Sequence, residues 1–271
     1  MTAKPPQISI ITACLNAAEF MAHTIASVLA QSYPHIEYII IDGGSTDGTV
    51  DIIRGCASRL AYWHSRPDRG VAHAFNLGVA QAHGDWLLFL NGDDILLSPT
   101  VIAEMAPHCL RHGDADVLFG NMVSLTREAD PKPVPLCKIG GHPWSWSEFR
   151  RGNMIPHQAA FTHREYFHRV GGFDETYRIA MDYEHYLRAG PELKAHFVQV
   201  PVAGMRAGGL CVQSIAKTLR EFRRAQIKNR ALPKWVAEMN FLARTVRLYG
   251  GALAHVVLDP WAGKIKWPGR N

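Results

Sequence analysis

The chain has 271 residues, of which 47% are hydrophobic, 10% aromatic and 20% charged. This composition is that of a globular protein with a sizeable core, and it excludes a disordered, collagen-like or low-complexity chain. The formal net charge of +5 is unevenly distributed, because residues 213–271 carry a net charge of +9 and residues 1–212 one of −4. We therefore expect a mildly acidic body followed by a basic C-terminal segment that suits an anionic partner.

Short apolar strands alternate with helical patterns over the first 120 residues. The predicted strands cover 8–12, 38–41, 60–64, 86–90 and 116–120, and the predicted helices cover 18–31, 49–59, 71–82 and 99–111. Because such alternation indicates βαβ units, we predict an α/β fold with a Rossmann-like, mostly parallel sheet flanked by helices. In sheets of this kind, ligands bind beyond the carboxyl ends of the strands.

The pattern changes after residue 120. Residues 121–146 are irregular and rich in proline, which indicates a hairpin or an excursion from the sheet. The remaining predicted elements are an ordered stretch over 154–170, a helix over 182–189 and a strand over 196–200. We expect residues 1–212 to form the body and residues 213–271 a basic helical extension, with breaks near Pro233 and Gly250-Gly251.

The cysteines and the hydropathy pattern indicate in which cellular compartment the protein is expected. The five cysteines show no CxxC pair or regular spacing, which argues against a disulfide framework and a structural zinc site. The first residues contain no apolar stretch typical of a signal peptide, and no apolar run approaches the roughly 20 residues of a membrane helix. We expect a cytoplasmic protein that is either soluble or peripheral on the inner face of a membrane.

Polar side chains collect at the carboxyl ends of the first four predicted strands. They are Thr12 and Asn16 after the first strand, Asp42 after the second, Asp68 after the third, and Asn91, Asp93 and Asp94 after the fourth. Solubility alone does not explain carboxylates and amides at four separate strand ends on one rim. The sequence therefore predicts a ligand site at this edge of the sheet.

The segment Asn91-Gly92-Asp93-Asp94 follows a buried strand directly. Two adjacent acids at this point suit a divalent cation, because oxygen ligands are those that Mg²⁺ and Mn²⁺ prefer. Since neighbouring side chains diverge on an extended backbone, we expect one carboxylate to bind the metal and the other a sugar hydroxyl. A turn with a helix cap is the competing interpretation.

The loop that begins at Asp42 is rich in glycine. It is not an EF-hand loop, because Gly44 breaks the alternation of acids and amides, and it is not a P-loop, because it contains no lysine. What remains is a strand-end acid, a turn, and Thr46 or Asp47 as a helix cap. Asp42 would then be free to accept hydrogen bonds from a ligand. The absence of GxGxxG after the first strand disfavours an NAD or FAD enzyme.

Taken in order, these motifs resemble glycosyltransferase family 2 over about residues 7–205. The matching segments are Thr12…Asn16, Asp42-Gly-Gly-Ser-Thr-Asp, Asp68-Arg-Gly-Val…Ala74-Phe-Asn76-Leu-Gly78, Asn91-Gly-Asp-Asp and Gly171-Gly-Phe-Asp-Glu…Asp182-Tyr-Glu184. The resemblance implies a GT-A fold and an inverting enzyme that uses a nucleotide-sugar donor. It also implies a catalytic domain over 1–212, with a nucleotide-sugar half at about 1–120 and an acceptor half at about 121–212.

The resemblance assigns donor-side roles to single residues. Thr12 and Asn16 would line the nucleoside pocket. Asp42 would contact the base, and Asp68 the base or the ribose. Asp93 belongs to the metal-binding DxD-type motif and would contact the sugar nucleotide.

The resemblance also implies the metal ligand and the catalytic base. Asp94 would bind Mg²⁺ or Mn²⁺ directly, Asp182 would be the base, and Glu184 a supporting acid. His157, with Gln158, would lie near the diphosphate or the acceptor. These roles fit the chemistry, because the metal neutralises the departing diphosphate and a carboxylate must take the proton of a weakly nucleophilic hydroxyl.

Three departures from the family pattern carry information. His73 stands where many relatives carry an aspartate, and Asn91 and Gly92 replace a more acidic lead-in to the metal motif. The chain contains no Gln-x-x-Arg-Trp, so the resemblance to processive polysaccharide synthases fails. We expect one sugar to be added per encounter.

The basic extension begins with an amphipathic run over 217–224, in which Leu219 and Phe222 stand between lysines and arginines. Such a helix suits an anionic membrane surface, and Trp261 and Trp267 would add an interfacial anchor. A helix packed on the body with its charges solvated is the alternative. Nucleic acid is not an expected partner, because no recognition motif accompanies the charge.

The expected partners are a nucleotide-sugar donor and a saccharide or lipid-linked acceptor of surface polysaccharide or glycolipid biosynthesis. Trp144 and Trp146 could stack on the acceptor sugar or pack under the proline-rich excursion. Arg206 could reach the diphosphate or lie on the surface. There are two competing functions. A sugar-nucleotide pyrophosphorylase-like enzyme would need a basic, Gly-rich loop after the first strand, and residues 13–16 do not form one. A non-catalytic nucleotide-sugar binder is disfavoured because Asp94 and Asp182 are both present.

Overall fold

The structure is a computed structural model that describes residues 4–126, 133–139, 143–206 and 214–258. For residues 133–139 and 247–258 it describes the path of the backbone. Trp261 and Trp267 of the expected interfacial anchor lie outside the described residues, as does Cys211, one of the five cysteines.

Nine strands of the described residues form one central sheet. They are β1 (Ile8–Cys14), β2 (Ile36–Asp42), β3 (Tyr62–Ser65), β4 (Trp86–Asn91), β5 (Ile95–Leu96), β6 (Val117–Leu125), β7 (Pro133–Ile139), β8 (Ala160–His163) and β9 (Ala195–Arg206). Their order is β3-β2-β1-β4-β8-β6-β9-β5, and β7 pairs with β6.

The sheet has a parallel half and a mixed half. Strands β3, β2, β1 and β4 are mutually parallel, as the alternation of strands and helices predicts. Strand β8 is antiparallel to both of its neighbours, β4 and β6, whereas β9 is parallel to β6. The α/β class is therefore confirmed, while the mostly parallel arrangement holds for the N-terminal half only. Strands β6 and β7 form the antiparallel hairpin that was one expectation for residues 121–146.

Helices cover both faces of this sheet. They are α1 (Ala18–Leu29), α2 (Thr49–Arg54), α3 (Val71–Gln81), α4 (Val101–Arg111), α5 (Trp146–Phe149), α6 (Arg164–Val170), α7 (Met181–Leu187), α8 (Ile215–Lys228) and α9 (Lys234–Leu258).

Two apolar cores result from the twofold alternation of the strands. Ile11 of β1 faces the core beneath α3, α6 and α7, and its neighbour Ile10 faces the core beneath α1 and α4. Both residues are fully buried, as are Leu88 and Phe89 of β4, which divide between the cores in the same way. Burial on both faces explains why these strands read as continuous apolar runs.

The C-terminal extension is helical, but not as its sequence pattern predicts throughout. Helix α8 ends before Pro233, and α9 begins just after it, as expected. Helix α9 then continues through Gly250-Gly251, so the predicted break there is wrong. The flanking Leu248 and Leu253 are strong helix formers, and each glycine costs only about 1 kcal/mol in a helix. Within the described residues, no helix is both long and apolar enough to cross a membrane.

Candidate active site

The parallel half of the sheet brings three strand ends together. Cys14 pairs with Asp42, and Ala13 pairs with Asn91, so the ends of β2, β1 and β4 lie side by side. The next residues extend this ladder, because Gly43 N donates to Cys14 O at 2.9 Å and Gly92 N to Ala13 O at 3.0 Å. At about 4.8 Å per strand, the acids after β2 and β4 begin roughly 10 Å apart.

Asp42 lies at this edge but faces inward. It is fully buried, and its carboxylate accepts hydrogen bonds from the Gly44 and Ser45 amides at 3.0 and 2.9 Å and from the Ser65 hydroxyl at 2.6 Å. Burial raises the pKa of Asp42, but hydrogen bonds led by the Ser45 and Ser65 hydroxyls outweigh it and hold the pKa below its ordinary value. The carboxylate expected to be free thus organises its own loop, and a base would have to displace one of these donors to reach it.

Asn16 joins two loops at the rim. Its side-chain oxygen accepts a hydrogen bond from Thr46 N at 3.0 Å, and its backbone N–H donates one to Ser45 Oγ at 2.7 Å. The backbone of Asn16 has a φ of 50°, a left-handed conformation that asparagine tolerates better than most residues. Thr12, by contrast, is fully buried, and its hydroxyl lies 3.2 Å from the Tyr38 hydroxyl. Thr12 therefore lies beneath the rim and supports it rather than facing a pocket.

Asp68 meets the Asp42 loop from the other side. Its Oδ1 accepts a hydrogen bond from Gly70 N at 2.6 Å, and a Cβ on Gly43 would lie only 2.6 Å from Oδ2. The glycine at position 43 thus leaves room for this carboxylate. Asp68 and the Asp42 loop form one surface at the ends of β2 and β3.

Asp94 has an unusual environment for a carboxylate. It is 1% exposed, and Oδ2 accepts hydrogen bonds from the Asn91 backbone and side-chain amides at 2.9 and 2.8 Å. The buried Oδ1 has no partner within hydrogen-bond distance among the described residues, although the Gln158 side chain lies close enough to favour the charged form of this carboxylate. Burial, reinforced by the charge of the half-buried Asp93, raises the pKa of Asp94 to about 7.

A divalent cation fits these two carboxylates. A cation at Oδ1 of Asp94 would use the orphaned oxygen and offset the repulsion between Asp93 and Asp94. Within the described residues, no group of three or more His, Cys, Asp or Glu side chains could hold a metal by itself. The remaining ligands would have to be phosphate and water oxygens, which is how Mg²⁺ is commonly bound.

His157 lies inside an aromatic cluster next to β4. Its ring stacks on Phe89 at 5.2 Å between centroids and contacts Phe75 and Phe173 at 5.3 and 5.8 Å. Burial lowers the pKa of His157 to about 4, so the ring is neutral at pH 7. Both ring nitrogens are buried without a hydrogen-bond partner in the described structure. A neutral imidazole can orient a ligand through a hydrogen bond but cannot form an ion pair with a diphosphate.

Asp182 lies in the first turn of α7. Its Oδ2 accepts a hydrogen bond from Asn153 Nδ2 at 2.8 Å. Burial raises the pKa of Asp182 to about 6, although hydrogen bonds from the Tyr183 amide and from Asn153 counteract part of this shift. A carboxylate with such a pKa is ionised at pH 7 and still accepts a proton readily, as a general base must.

Glu184 has a structural role in the same helix. It is fully buried and forms ion pairs with Arg188 at 2.6 Å and with Lys228 of α8 at 2.8 Å. Burial raises the pKa of Glu184, but these two cations outweigh it and hold the pKa below its ordinary value. Glu184 thus supports the region and joins α7 to α8.

One segment connects the base to the metal motif. Asn153 holds Asp182, and four residues later His157 stacks on Phe89 of β4, which leads directly into Asn91 and the two acids. Residues 153–157 therefore run from one predicted centre to the other. A cavity of about 590 Å³ lies instead on the outer side of the Asp42 loop, and its lining includes Ser45, Ser65, Arg54, Trp63 and Arg66.

The remaining candidates from the sequence are packed rather than exposed. Trp144 and Trp146 lie with ring centroids 5.0 and 6.1 Å from that of the buried Phe149, which agrees with the packing interpretation. Arg206 is 1% exposed, with its guanidinium 4.3 Å from the Phe20 ring, so a surface role for it is wrong. His73 Nδ1 accepts a hydrogen bond from Arg69 N at 3.2 Å.

Sequence reasoning missed the hydrogen-bond partners of the two central carboxylates. Asn153 was not singled out, because it lies 29 residues from Asp182 in a segment without periodicity. Ser65 lies 23 residues from Asp42. Its position at the end of a predicted strand, level with Asp42, was the available signal.

The chain matches known glycosyltransferases over most of its length. The Glycosyl transferase family 2 model matches residues 9–171. An uncharacterized glycosyltransferase of Mycobacterium tuberculosis is 37% identical over 190 residues, which are 68% of this chain and 69% of the relative. A PGL/p-HBAD biosynthesis glycosyltransferase of Mycobacterium bovis is 32% identical over 211 residues, or 76% and 79% of the two chains.

Solved structures share the fold at low sequence identity. S. aureus TarS superposes with a TM-score of 0.65 and 17% identity over 89% of this chain, which covers 43% of TarS. Its 1–349 fragment in complex with UDP gives 0.66 and 16%, over 96% and 75% of the two chains. Mannosyltransferase PcManGT from Pyrobaculum calidifontis, in complex with GDP-Man and Mn²⁺, gives 0.58 and 18%, over 93% and 81%.

The family match covers more than half of the chain and includes the strand ends that carry Asp42, Asp68, Asp93 and Asp94. The family that the sequence matches and the fold that these solved structures share agree, so the predicted GT-A fold is confirmed. The chain belongs to glycosyl transferase family 2.

Proposed function

We propose that this protein is an inverting, metal-dependent glycosyltransferase that moves one sugar from a nucleotide-diphosphate donor to a hydroxyl of a saccharide or lipid-linked acceptor. The observation that carries the proposal is the presence of two separate carboxylate centres with different environments. Asp93 and Asp94 lie at the end of β4 with an orphaned oxygen, and Asp182 lies at the start of α7 with a pKa of about 6. Two centres of this kind suit donor and acceptor respectively.

The residues on the acceptor side account for the chemistry of attack. A sugar or lipid hydroxyl is a weak nucleophile, so Asp182 takes its proton as the new glycosidic bond forms. Asn153 keeps the carboxylate oriented, because its side-chain amide donates a hydrogen bond to Oδ2. One base acting from the face opposite the leaving group produces inversion, and no second carboxylate nucleophile is required.

The donor-side residues bind and orient the sugar nucleotide. Asn16 and Asp68 border the nucleoside site, together with the loop that Asp42 organises. Asp94, with Asp93 beside it, would hold Mg²⁺ or Mn²⁺. When bound, this cation neutralises the charge that develops on the departing diphosphate. The TarS fragment in complex with UDP and PcManGT in complex with GDP-Man and Mn²⁺ support a nucleotide-sugar donor and a divalent ion.

A binding screen followed by an analysis of the product tests this function. We expect one of UDP-, GDP- or dTDP-sugars to raise the melting temperature in the presence of Mn²⁺ or Mg²⁺, because a ligand that binds the folded state stabilises it by mass action. The same donor should release its nucleoside diphosphate in the presence of acceptor, and NMR of the product should give the anomer opposite to that of the donor. Retention of configuration, or no stabilisation by any donor, would contradict the proposal.

We also propose that the C-terminal extension contacts an anionic membrane surface through α9, where a lipid-linked acceptor would reside. Trp235, Met239, Leu242 and Val246 are 57–71% exposed and follow one another at spacings of four, three and four residues. They therefore form a single apolar stripe on α9. Its tryptophan and the basic character of residues 213–271 are features of helices that lie in a membrane interface.

Changing the stripe to polar residues tests membrane contact without removing α8 from the body. Trp235→Ser with Leu242→Ser should weaken binding to phosphatidylserine-containing liposomes by about tenfold or more, since each side chain contributes roughly 1.5–3 kcal/mol when buried. Co-sedimentation measures this change. The matched control is Leu110→Ser, which replaces an exposed leucine of α4 and should leave binding unchanged. Equal binding by the wild type and the double variant would refute the assignment of this surface.

A further inference from the structure

The helix that opens the C-terminal extension reaches the segment that carries the proposed base. Glu221 of α8 is 7% exposed. Its Oε2 accepts hydrogen bonds from three consecutive backbone amides, those of Arg178 at 3.2 Å, Ile179 at 2.9 Å and Ala180 at 2.9 Å. These amides immediately precede α7, and Asp182 is only two residues further on.

A second contact holds the other side of Asp182. Gln226 of α8 is buried, and its Nε2 lies 3.1 Å from the carbonyl oxygens of Arg150 and Arg151 and from the Tyr183 hydroxyl. The Phe222 ring packs on Tyr183 with centroids 4.6 Å apart. Helix α8 therefore contacts both parts of the chain that meet at Asp182, which are α7 and the segment leading to Asn153.

The stretch fixed by Glu221 also touches the donor side. The Arg178 guanidinium donates a hydrogen bond to the carbonyl oxygen of Arg69, between Asp68 and Gly70. Arg69 in turn forms two hydrogen bonds to Glu175 at 2.9 and 2.7 Å. Residues 175–182 thus link the loop of Asp68 to the base.

We propose that Glu221 is a positioning residue for Asp182. Helix α8 then contributes to the geometry of the active site, although it lies in the C-terminal extension. The inference rests on the proposed role of Asp182 as the base. Oε2 of Glu221 accepts hydrogen bonds from three consecutive amides and so fixes the backbone that leads into α7. Without that oxygen the amides lose their acceptor, and the carboxylate two residues later loses its fixed place.

The negative charge of Glu221 has a second consequence. It raises the pKa of Asp182, to which burial contributes most. Within α7, the Tyr186 hydroxyl also faces Asp182, and Glu184 is neutralised by Arg188 and Lys228. Removing the charge of Glu221 should therefore lower the pKa of Asp182 and extend activity to lower pH.

Two variants separate the shape of Glu221 from its charge. In Glu221→Gln, the amide oxygen can still accept the three hydrogen bonds, so kcat should stay close to that of the wild type while the acid limb of the pH profile shifts to lower pH. In Glu221→Ala the acceptor is lost, and kcat should fall between about 10- and 100-fold with little change in the donor KM, because small misplacements of a catalytic group are costly. Activity is measured as nucleoside diphosphate release from UDP-, GDP- and dTDP-sugars with acceptor.

A measurement that does not depend on activity accompanies the kinetics. The carboxyl ¹³C signal of Asp182, assigned by its absence in Asp182→Asn, should titrate at lower pH in Glu221→Gln than in the wild type. The matched control is Glu238→Gln, which removes an α9 acid whose partner is Arg223 and should leave both the titration and the rates unchanged.

The outcomes are distinguishable. The inference is overturned if Glu221→Ala is as active as Glu238→Gln, or, where the alanine variant does not fold, if the Asp182 titration in Glu221→Gln matches the wild type. Full activity of Asp182→Asn would instead refute the proposed base, whatever the Glu221 variants do. Loss of kcat in Glu221→Ala, recovery in Glu221→Gln and a lowered Asp182 titration together support the inference.

Discussion

Replacement of Asp182 by asparagine should lower the rate of sugar transfer by at least about 10²-fold, on the usual scale of general base catalysis. The substitution removes the proton acceptor and little else, because the amide oxygen of asparagine can still accept the hydrogen bond that Asn153 donates at 2.8 Å. Donor affinity, measured by calorimetry, should stay within about twofold of that of the wild type, since the base acts on the acceptor.

The pH profile adds a second signature of the same residue. Burial raises the pKa of Asp182 to about 6, so wild-type kcat/KM should fall as the pH drops below 6 and the base becomes protonated. This limb should be absent from the residual activity of Asp182→Asn. The control is Glu165→Gln, in which an α6 carboxylate that is 66% exposed is neutralised without effect on the rate. A variant at position 182 with wild-type rates, or with an unaltered acid limb, would remove Asp182 from the mechanism.

The strands that carry the donor site could be predicted from sequence, because strands buried on both faces consist of short, nearly continuous apolar runs. Ile39-Ile40-Ile41 can scarcely be anything but a buried strand, and the predicted end of β2 is correct to one residue. Strand β8 was missed, because Ala160–His163 has four residues and no periodicity of its own. It becomes a strand through pairing with β4 and β6, and this tertiary context also reverses its direction relative to both.

The positions of the acids could be predicted from the sequence, but their hydrogen-bond partners and burial could not. The uncharged, β-branched run that identifies β1 does not indicate which face Thr12 occupies, and in the structure its hydroxyl lies next to that of Tyr38. Asp42 was expected to be free, yet its loop amides and Ser65 occupy the carboxylate. Whether a strand-end acid is satisfied depends on donors far away in sequence, and residue spacing does not give that information.

For a related reason, the sequence could not decide between the two alternatives for the extension. Periodicity identifies a polar face but not what covers it, so the charged face of α8 suggested a membrane. In the structure, Lys228 forms ion pairs with Asp174 and Glu184 at 2.7 and 2.8 Å, and Glu221 is buried against the body. The packed alternative therefore describes α8, and the exposed apolar stripe belongs to α9, which the sequence analysis had not singled out.

Replacement of Asp94 by asparagine should abolish metal-dependent transfer and, without metal, stabilise the protein at high pH. Activity is lost because the orphaned Oδ1 is the oxygen suited to the cation. Stability is gained because Asp94 is 1% exposed and its pKa is raised to about 7 by burial and by Asp93. Asparagine can keep both hydrogen bonds from Asn91 through its amide oxygen, while it carries no charge.

The sign of the stability change follows from proton linkage. Between pH 4 and 7, folded Asp94 binds a proton that the unfolded chain has released, so the free energy of unfolding falls as pH rises and the full cost is present above about pH 7. In EDTA at pH 8, Asp94→Asn should unfold with a free energy higher by about 1–3 kcal/mol, less than the full shift because the new amide N–H group is itself unpaired. Urea unfolding measures this difference, which should disappear near pH 4.

Loss of transfer in a variant that is folded and no less stable is what distinguishes a metal ligand from a structural turn. If Asp94 only capped the chain after β4, its replacement would leave transfer intact, whatever its effect on stability at pH 8. Asp114→Asn is the matched control, because Asp114 is 78% exposed and its change should affect neither quantity. Adding Mn²⁺ with the donor should raise the melting temperature of the wild type and not that of Asp94→Asn, because the variant lacks the oxygen through which cation and diphosphate are held together.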